Sequence, residues 1–351
     1  MTLWWLGYSG WLGGALALAA CGPAPMPAAL APDPPADPPS TRPAKPDDPC
    51  NAGDTTTCVR LGVGFEQGLG ASKDEARAAV LYGKACEWGN ATGCLDLGVM
   101  RAQGRGGSKD EAAAAALFTR ACDGGEATGC YGLGVLLEHG LGVPEDEARA
   151  VALYTRGCEG GHATSCFNLG VMVSDGRGAA RDDGRAATLY ERACTGGEPK
   201  ACANLGTLVA RGRGASKAAA RAAALFSKAC DGGVVSGCAS LGARLAQGLG
   251  VSKDEARAVA LFTRACDAGY DAGCIGLAVQ LEQGLGVGKD EARAEALYSA
   301  ACDAGAGEAC FNLGLLLERR PGASKNRKRS AAAYARGCTL GDDDACAAVK
   351  K

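Results

Sequence analysis

Histidine is nearly absent from this chain of 351 residues: there are two, His139 and His162. So few cannot build a His-rich metal site and leave little for His-based acid–base catalysis. Aromatic residues are scarce at 5%, and charge of one sign is missing, with 37 Lys and Arg against 39 Asp and Glu for a net charge of −2. That balance gives no electrostatic reason to expect a nucleic-acid or polyanion binder. Proline is absent from most of the chain, since only Pro144, Pro199 and Pro321 lie beyond residue 49. What abounds instead is glycine, with 54 copies, and cysteine, with 19. The length suffices for two ordinary domains, and the odd number of cysteines requires an explanation.

Residues 1–20, MTLWWLGYSGWLGGALALAA, carry no Lys or Arg and are followed at once by Cys21. A run of about 20 apolar residues is long enough for a membrane anchor, and plain secretion is a second reading. Leu18-Ala19-Ala20-Cys21, however, resembles the bacterial lipoprotein signal, in which small residues precede a cysteine that is lipidated and becomes the mature N-terminus. From Gly22 to Pro49 proline is interleaved with Ala and Asp, as in PDPPADPPSTRPAKPDDP. Such a stretch favours extended polyproline conformation and cannot pack a core, so 21–49 reads as a lipidated cysteine plus a semi-rigid tether. A Pro-rich ligand for a recognition domain is the alternative.

Residues 50–351 are one unit copied in register. Cys50, Cys86, Cys122, Cys158, Cys194, Cys230, Cys266, Cys302 and Cys338 recur every 36 residues without insertion. Each is followed eight residues later by a partner: Cys58, Cys94, Cys130, Cys166, Cys202, Cys238, Cys274, Cys310 and Cys346. A fixed period of this size marks a stacked array of small supersecondary units. Eight units are complete, and Cys338–Lys351 is a truncated ninth that caps the stack.

Within Cys122–Gly157, Tyr131, Leu133, Leu136 and Leu137 recur at helical spacing, and the run closes at Gly140-Leu141-Gly142. A second run, Ala150, Leu153, Tyr154 and Gly157, follows the spacing i, i+3, i+4, i+7. Its start is marked in other units by Ser72…Glu75, Ser108…Glu111 and Ser252…Glu255, which read as capping boxes. The unit is thus helix, loop, helix, tight turn, with no strand-like alternation. One aromatic recurs in the second helix from Tyr82 to Tyr334. A Leu-Gly pair recurs in the first helix from Leu61-Gly62 to Leu313-Gly314 and is broken only at Leu277-Ala278.

The pattern Leu133-Gly134…Gly140-Leu141-Gly142-Val143…Asp146…Ala148…Ala152-Leu153-Tyr154 resembles the Sel1-like repeat, a relative of the tetratricopeptide repeat. Its added pair of cysteines resembles the Helicobacter cysteine-rich protein subgroup. The resemblance implies an all-α solenoid, a right-handed superhelix of antiparallel helix pairs with a concave binding face. Arg320 stands where a loop glycine is expected, which puts the last unit's loop in question.

Cys122 falls at the end of one helix and Cys130 near the start of the next, across a turn that contains Gly124 and Gly125. Antiparallel helices bring such positions to the Cα separation of about 5.5 Å that a disulfide needs. Nine intra-unit disulfides are therefore expected, and an export signal agrees with them. A four-thiolate zinc site and free thiols are the alternatives, although the spacing within a pair exceeds the two to four residues usual for zinc ligands.

Some members of the cysteine-rich subgroup are described as penicillin-binding or weakly β-lactamase-like. Serine β-lactamases need Ser-x-x-Lys, Ser-Asp-Asn and Lys-Thr-Gly elements. The chain has no Ser-x-x-Lys, Ser174-Asp175 continues with Gly176, and Lys-Thr-Gly does not occur. His139 and His162 lie in different units without a ligand motif and read as surface loop residues. No catalytic residue and no cofactor is expected.

Binding suits the array better. Two residues after the second cysteine stand Asn168, Asn204 and Asn312, amides able to donate to and accept from a peptide backbone. They are the candidate peptide-binding residues; ordinary solvated positions are the alternative. The adjacent Tyr131, Phe167 and Phe311 read as core. The basic run Arg319, Arg320, Lys325, Arg327, Lys328 and Arg329 reads as a solvated face, with an acidic partner or lipid headgroups as the alternative. The expectation is a non-catalytic protein- or peptide-binding scaffold, lipid-anchored in the bacterial cell envelope with its repeats in an oxidising compartment, the outer membrane preferred over the inner. A penicillin-binding or weak hydrolase activity and a purely structural spacer are the alternatives.

Overall fold

The computed structural model describes Cys50 and residues 54–215, 217–320 and 323–349. The segment 1–20, Cys21 and the rest of the tether to 49 lie outside them. Among the described residues all regular structure is helical. The first helices of the units are α1 (Thr55–Gln67), α3 (Ala91–Gln103), α5 (Ala127–His139), α7 (Ala163–Asp175), α9 (Pro199–Arg211), α11 (Val235–Gln247), α13 (Asp271–Gln283) and α15 (Gly307–Arg319). The second helices are α2 (Glu75–Glu87), α4 (Glu111–Asp123), α6 (Glu147–Glu159), α8 (Asp183–Thr195), α10 (Ala219–Asp231), α12 (Glu255–Asp267), α14 (Glu291–Asp303) and α16 (Ala323–Thr339). The half-length α17 (Asp343–Val349) occupies the first-helix place of the ninth unit.

The second helices start two residues later than the serines suggest. Asp74, Asp110 and Asp254 are the caps, each accepting a backbone N–H three residues on at 2.9 Å. An ionised carboxylate caps a helix N-terminus through both its hydrogen bond and the dipole. Lys73, Lys109 and Lys253 then pair with Glu75, Glu111 and Glu255 instead of leaving those acids to reach back to a serine. First helices end at a left-handed glycine, as at Gly140. Two residues on, Gly142 has φ +68°, and an added Cβ would meet the Ala112 amide nitrogen at 2.5 Å. That loop therefore presses on the start of the preceding unit's second helix, which only glycine allows. In the last unit Arg320 is extended, and its guanidinium contacts both the Glu291 carboxylate and the Glu291 carbonyl. A side chain makes there the contact that the backbone makes elsewhere.

The units stack through aromatic-on-glycine contacts. Tyr82, Tyr154 and Tyr298 are among the largest fully buried side chains. A Cβ on Gly134 would lie 2.7 Å from Tyr154, and one on Gly170 would lie 2.7 Å from Tyr190. Removing the Cβ lets one ring per unit fill the space between helices, and burying such a ring stabilises by about 2–3 kcal/mol. This is how a chain so poor in aromatics builds a continuous core.

All eighteen repeat cysteines form nine disulfides, from Cys50–Cys58 to Cys338–Cys346, and from Cys86–Cys94 on each ties the end of a second helix to the start of the next first helix. Cα separations run from 4.4 Å to 4.8 Å. This resolves the earlier choice: no thiolate set is left for zinc and no repeat thiol is free. First helices touch across units at α1–α3, α11–α13 and α15–α17, while no two second helices come as near among the described residues. The first helices together form one face of the stack.

Candidate functional site: the first-helix face

Each first helix turns one stripe of half-buried residues to that face. On α5 the stripe is Thr128, Tyr131, Gly132 and Glu138; on α7 it is Thr164, Phe167, Asn168, Val171 and Ser174. Tyr131, Phe167 and Phe311 are thus partly exposed rather than sealed in the core. Each lies on the aromatic beneath it: Tyr131 on Tyr154 at 6.2 Å between centroids, Phe167 on Tyr190 at 6.0 Å and Phe311 on Tyr334 at 5.8 Å.

The three candidate asparagines are half-buried on the same face. Asn168 lies within hydrogen-bonding reach of the Tyr154 hydroxyl, and Asn204 of the Tyr190 hydroxyl. Asn312 holds the equivalent place on α15, where Glu282 takes the Tyr298 hydroxyl at 3.1 Å. The first two amides thus lie beside a core tyrosine and keep donor and acceptor capacity for a ligand.

Below this stripe lies a polar clamp. The Tyr154 hydroxyl donates to Glu138 at 2.7 Å, and Arg177, from the loop of the next unit, donates to Glu138 at 2.7 Å and to Glu147 at 3.2 Å. The same trio recurs as Tyr82, Glu66 and Arg105, with both bonds 2.6 Å long. Burial first, then Glu138, raises the Tyr154 hydroxyl well above the ordinary tyrosine range, so it stays a donor at every physiological pH.

His162 lies in the turn between α6 and α7 but is half-buried rather than on the open surface. It caps α7, its Nδ1 accepting the Ser165 amide at 3.2 Å and lying 2.9 Å from Ser165 Oγ, and its ring stacks on Tyr131 at 4.8 Å. Burial pushes its imidazole below the usual range, leaving it neutral at pH 7. A serine beside a histidine invites a catalytic reading, but Ser165 is wholly buried and no substrate atom reaches its Oγ. His139 is the exposed last residue of α5. Among the described residues no cluster of three or more His, Cys, Asp or Glu stands ready for a metal. The basic run is largely spoken for: Arg319 pairs with Glu282, Arg320 with Glu291 and Glu295, and Arg329 with Glu295.

The Sel1 repeat pattern matches eight consecutive segments: 57–90, 91–126, 127–162, 163–198, 199–234, 235–270, 272–305 and 307–342. The chain belongs to the Sel1 repeat family. A protective antigen of uropathogenic Escherichia coli that displays an SLR fold is similar at 27% identity with a TM-score of 0.72, over 85% of this chain and 64% of its own. This chain therefore spans less than two thirds of that antigen's length. A Sel1 repeat protein from Oxalobacter formigenes is 22% identical with a TM-score of 0.60, over 70% of this chain and 96% of its own. Cysteine rich protein B of Helicobacter pylori is 30% identical over 37% of this chain and 93% of its own, with a TM-score of 0.32. No curated protein matches the sequence.

The Sel1 units carry a pattern that reading for period alone passes over. Where the second-helix aromatic is tyrosine, the residue sixteen earlier is Glu66, Glu138, Glu282, Glu318 or Ser174. Where it is Phe118, Phe226 or Phe262, that residue is Ala102, Ala210 or Ala246. The next unit's loop has Arg105, Arg177 and Arg213 after Tyr82, Tyr154 and Tyr190, Pro321 after Tyr298, and Leu141, Leu249 and Leu285 after the three phenylalanines. A buried hydroxyl needs an acceptor and a buried carboxylate needs a cation, so at Tyr82 and Tyr154 the three positions change together, whereas Arg213 turns to Asp183 and Glu282 takes Arg319 instead. Aligning the units against one another, rather than counting their spacing, is the signal that finds the clamp.

Proposed function

We propose that this Sel1-repeat scaffold is non-catalytic and holds a protein or peptide partner across its first-helix face, tethered to the bacterial cell envelope through lipidated Cys21. The observation that carries the reading is the set of half-buried apolar side chains on that face, Leu95, Val99, Tyr131, Phe167 and Val171 on three successive first helices and Leu315 again on α15. An apolar surface edged with amides is one that an extended or helical segment uses. Nine disulfides fit an oxidising compartment outside the cytoplasm. Among the described residues no helix is long and apolar enough to cross a membrane, so the tether would have to act through the segment before Cys50.

Photo-crosslinking side chains placed at Asn168, Asn204 and Asn312, and for comparison at the exposed second-helix positions Ala152, Ala224 and Ala260, test the reading in intact envelopes. Capture of one protein from the first set and not the second is the expected result. Equal capture from both sets, or none from either, rejects it. Loss of envelope fractionation in Cys21→Ser tests the anchor separately.

A further inference from the structure

The first-helix face is chemically uneven along the stack. At α3, α5 and α7 its floor is large and apolar, built by Leu95, Val99, Tyr131 and Phe167. At the matching places α9 and α11 carry only Ala203, Thr207, Ala239 and Ala243, and α13 and α15 return to Ile275, Val279, Phe311 and Leu315, so it is the acidic rim that sets the α3–α7 stretch apart.

The apolar stretch is also rimmed by carboxylates whose charge is not neutralised within the chain. Glu66 and Glu138 are occupied by Arg105 and Arg177. Glu126, at the head of α5, holds only the Thr92 hydroxyl, at 2.6 Å. Glu198, at the head of α9, holds the Thr164 hydroxyl and the Lys200 backbone amide. Asp96 on α3 has neither a hydrogen bond nor an ion pair among the described residues. Arg105, whose charge reaches it, is committed to Glu66. Burial, with Glu66 and Glu126 adding repulsion, pushes the Asp96 carboxyl up to about 6. A half-buried carboxylate short of a partner gains more from an incoming cation than an exposed one does. The metal-ready clusters that would offer another counter-charge do not occur among the described residues.

We infer that the stretch from α3 to α7 binds a peptide segment of a partner protein in which a Lys or Arg lies beside an apolar side chain, the cation against Asp96 and Glu126 and the apolar group on Tyr131 and Phe167. This rests on the scaffold reading above and specifies its ligand. The floor supplies area and the rim supplies sign. Acidic segments and anionic lipid surfaces meet repulsion at the same place, which is discrimination by unpaired like charge. The aromatic faces add a second attraction for the cation.

The test is selection of a displayed library of random peptides, about twelve residues long so as to span three units, on the full chain in mild detergent. Enriched sequences are expected to carry Lys or Arg next to Leu, Ile, Val or an aromatic. Their binding is expected to weaken about tenfold in Asp96→Asn and again in Phe167→Ala, and to fall as salt rises. Asp123→Asn, which removes the same charge from an exposed second-helix position, is expected to leave it unchanged. Enrichment of neutral or acidic sequences, no enrichment, or equal loss in Asp123→Asn overturns the inference. The outcome is separable from the scaffold reading. If the crosslinkers capture a partner and Asp96→Asn leaves that capture intact, the scaffold stands and the cationic ligand falls. If they capture nothing, the scaffold reading itself falls.

Discussion

Replacing Asp96 by Asn should make the protein more stable at neutral pH, which is unusual for a half-buried polar residue. The Asp96 carboxyl titrates at about 6 in the folded chain against 3.8 for an ordinary aspartate, because burial and the nearby Glu66 and Glu126 disfavour its charge. Below pH 3.8 it is neutral in both folded and unfolded chains and costs nothing. Between 3.8 and about 6 the folded chain keeps a proton that the unfolded chain has released, so stability falls as pH rises. Above about 6 the folded chain carries the charge at full cost. Fully expressed, that interval corresponds to about 3 kcal/mol. Residual contact with water screens the charge, and we expect about 1–2 kcal/mol. Asn keeps the shape and removes the charge. The assay is hydrogen exchange of the α3 and α5 amides, because a stack opens unit by unit and a single melting midpoint blurs a local change. Protection in Asp96→Asn should exceed that of the parent at pH 7.5 and converge with it near pH 4. Lower protection at pH 7.5, or a gain of equal size at both pH values, refutes the electrostatic account. A residue that costs stability while facing an open groove is also the pattern expected of a ligand contact.

Four further outcomes follow from the same geometry. Phe118→Tyr sets a hydroxyl against Ala102 with no acceptor and should cost about 1–2 kcal/mol in urea denaturation, and adding Ala102→Glu with Leu141→Arg should recover most of it by rebuilding the clamp. Gly134→Ala drives a methyl to within 2.7 Å of Tyr154 and should lower stability by about 1–3 kcal/mol, read as loss of α5–α6 amide protection. Gln280 is 4% exposed and its carbonyl oxygen has no partner among the described residues, whereas Leu136, Leu208 and Leu316 occupy the matching places; Gln280→Leu should stabilise by about 1–2 kcal/mol on heating. Removing one disulfide as Cys122→Ser with Cys130→Ser should cost about 2–3 kcal/mol locally on the chain-entropy account, and intact mass before and after alkylation should show no free thiol in the parent repeats.

Period, glycine and cysteine made the fold legible. A strict 36-residue repeat fixes the unit, left-handed glycines close the first helices, and a cysteine at the end of one helix and another at the start of the next fix the pairing. The second-helix starts were read two residues early because serine and aspartate both cap helices and the choice depends on where the lysine between them finds its acid. His162 sits in the turn its spacing suggests, but its contact with Tyr131, which half-buries it, is tertiary and cannot be read from the spacing. The face was harder. Asn168 and Asn204 are half-buried on the first-helix face, and their closeness to the tyrosines beneath is tertiary. Asp96 stands at the same place as Asn168, two residues after Cys94, but nothing in the sequence beside it says that Arg105, whose charge reaches it, is held by Glu66.

The clamps and the glycine contacts also explain why this face suits binding. Arg177 belongs to one unit, while Glu138 and Glu147, which it joins, belong to the two helices of the unit before. A second seam repeats the logic in size: a Cβ on Gly124 would lie 2.5 Å from Ala91 Cβ, and one on Gly160 would lie 2.8 Å from Ala127 Cβ. In the cap the sizes exchange, with Leu340 set against Gly307. Charge and volume are thus matched across unit boundaries rather than only within units, and a disulfide closes the turn through which each unit hands the chain to the next. Side chains on the first helices are consequently held in fixed relative positions over several units. A segment that docks there loses its own freedom but requires little new ordering from the scaffold, which leaves more of the contact energy as affinity.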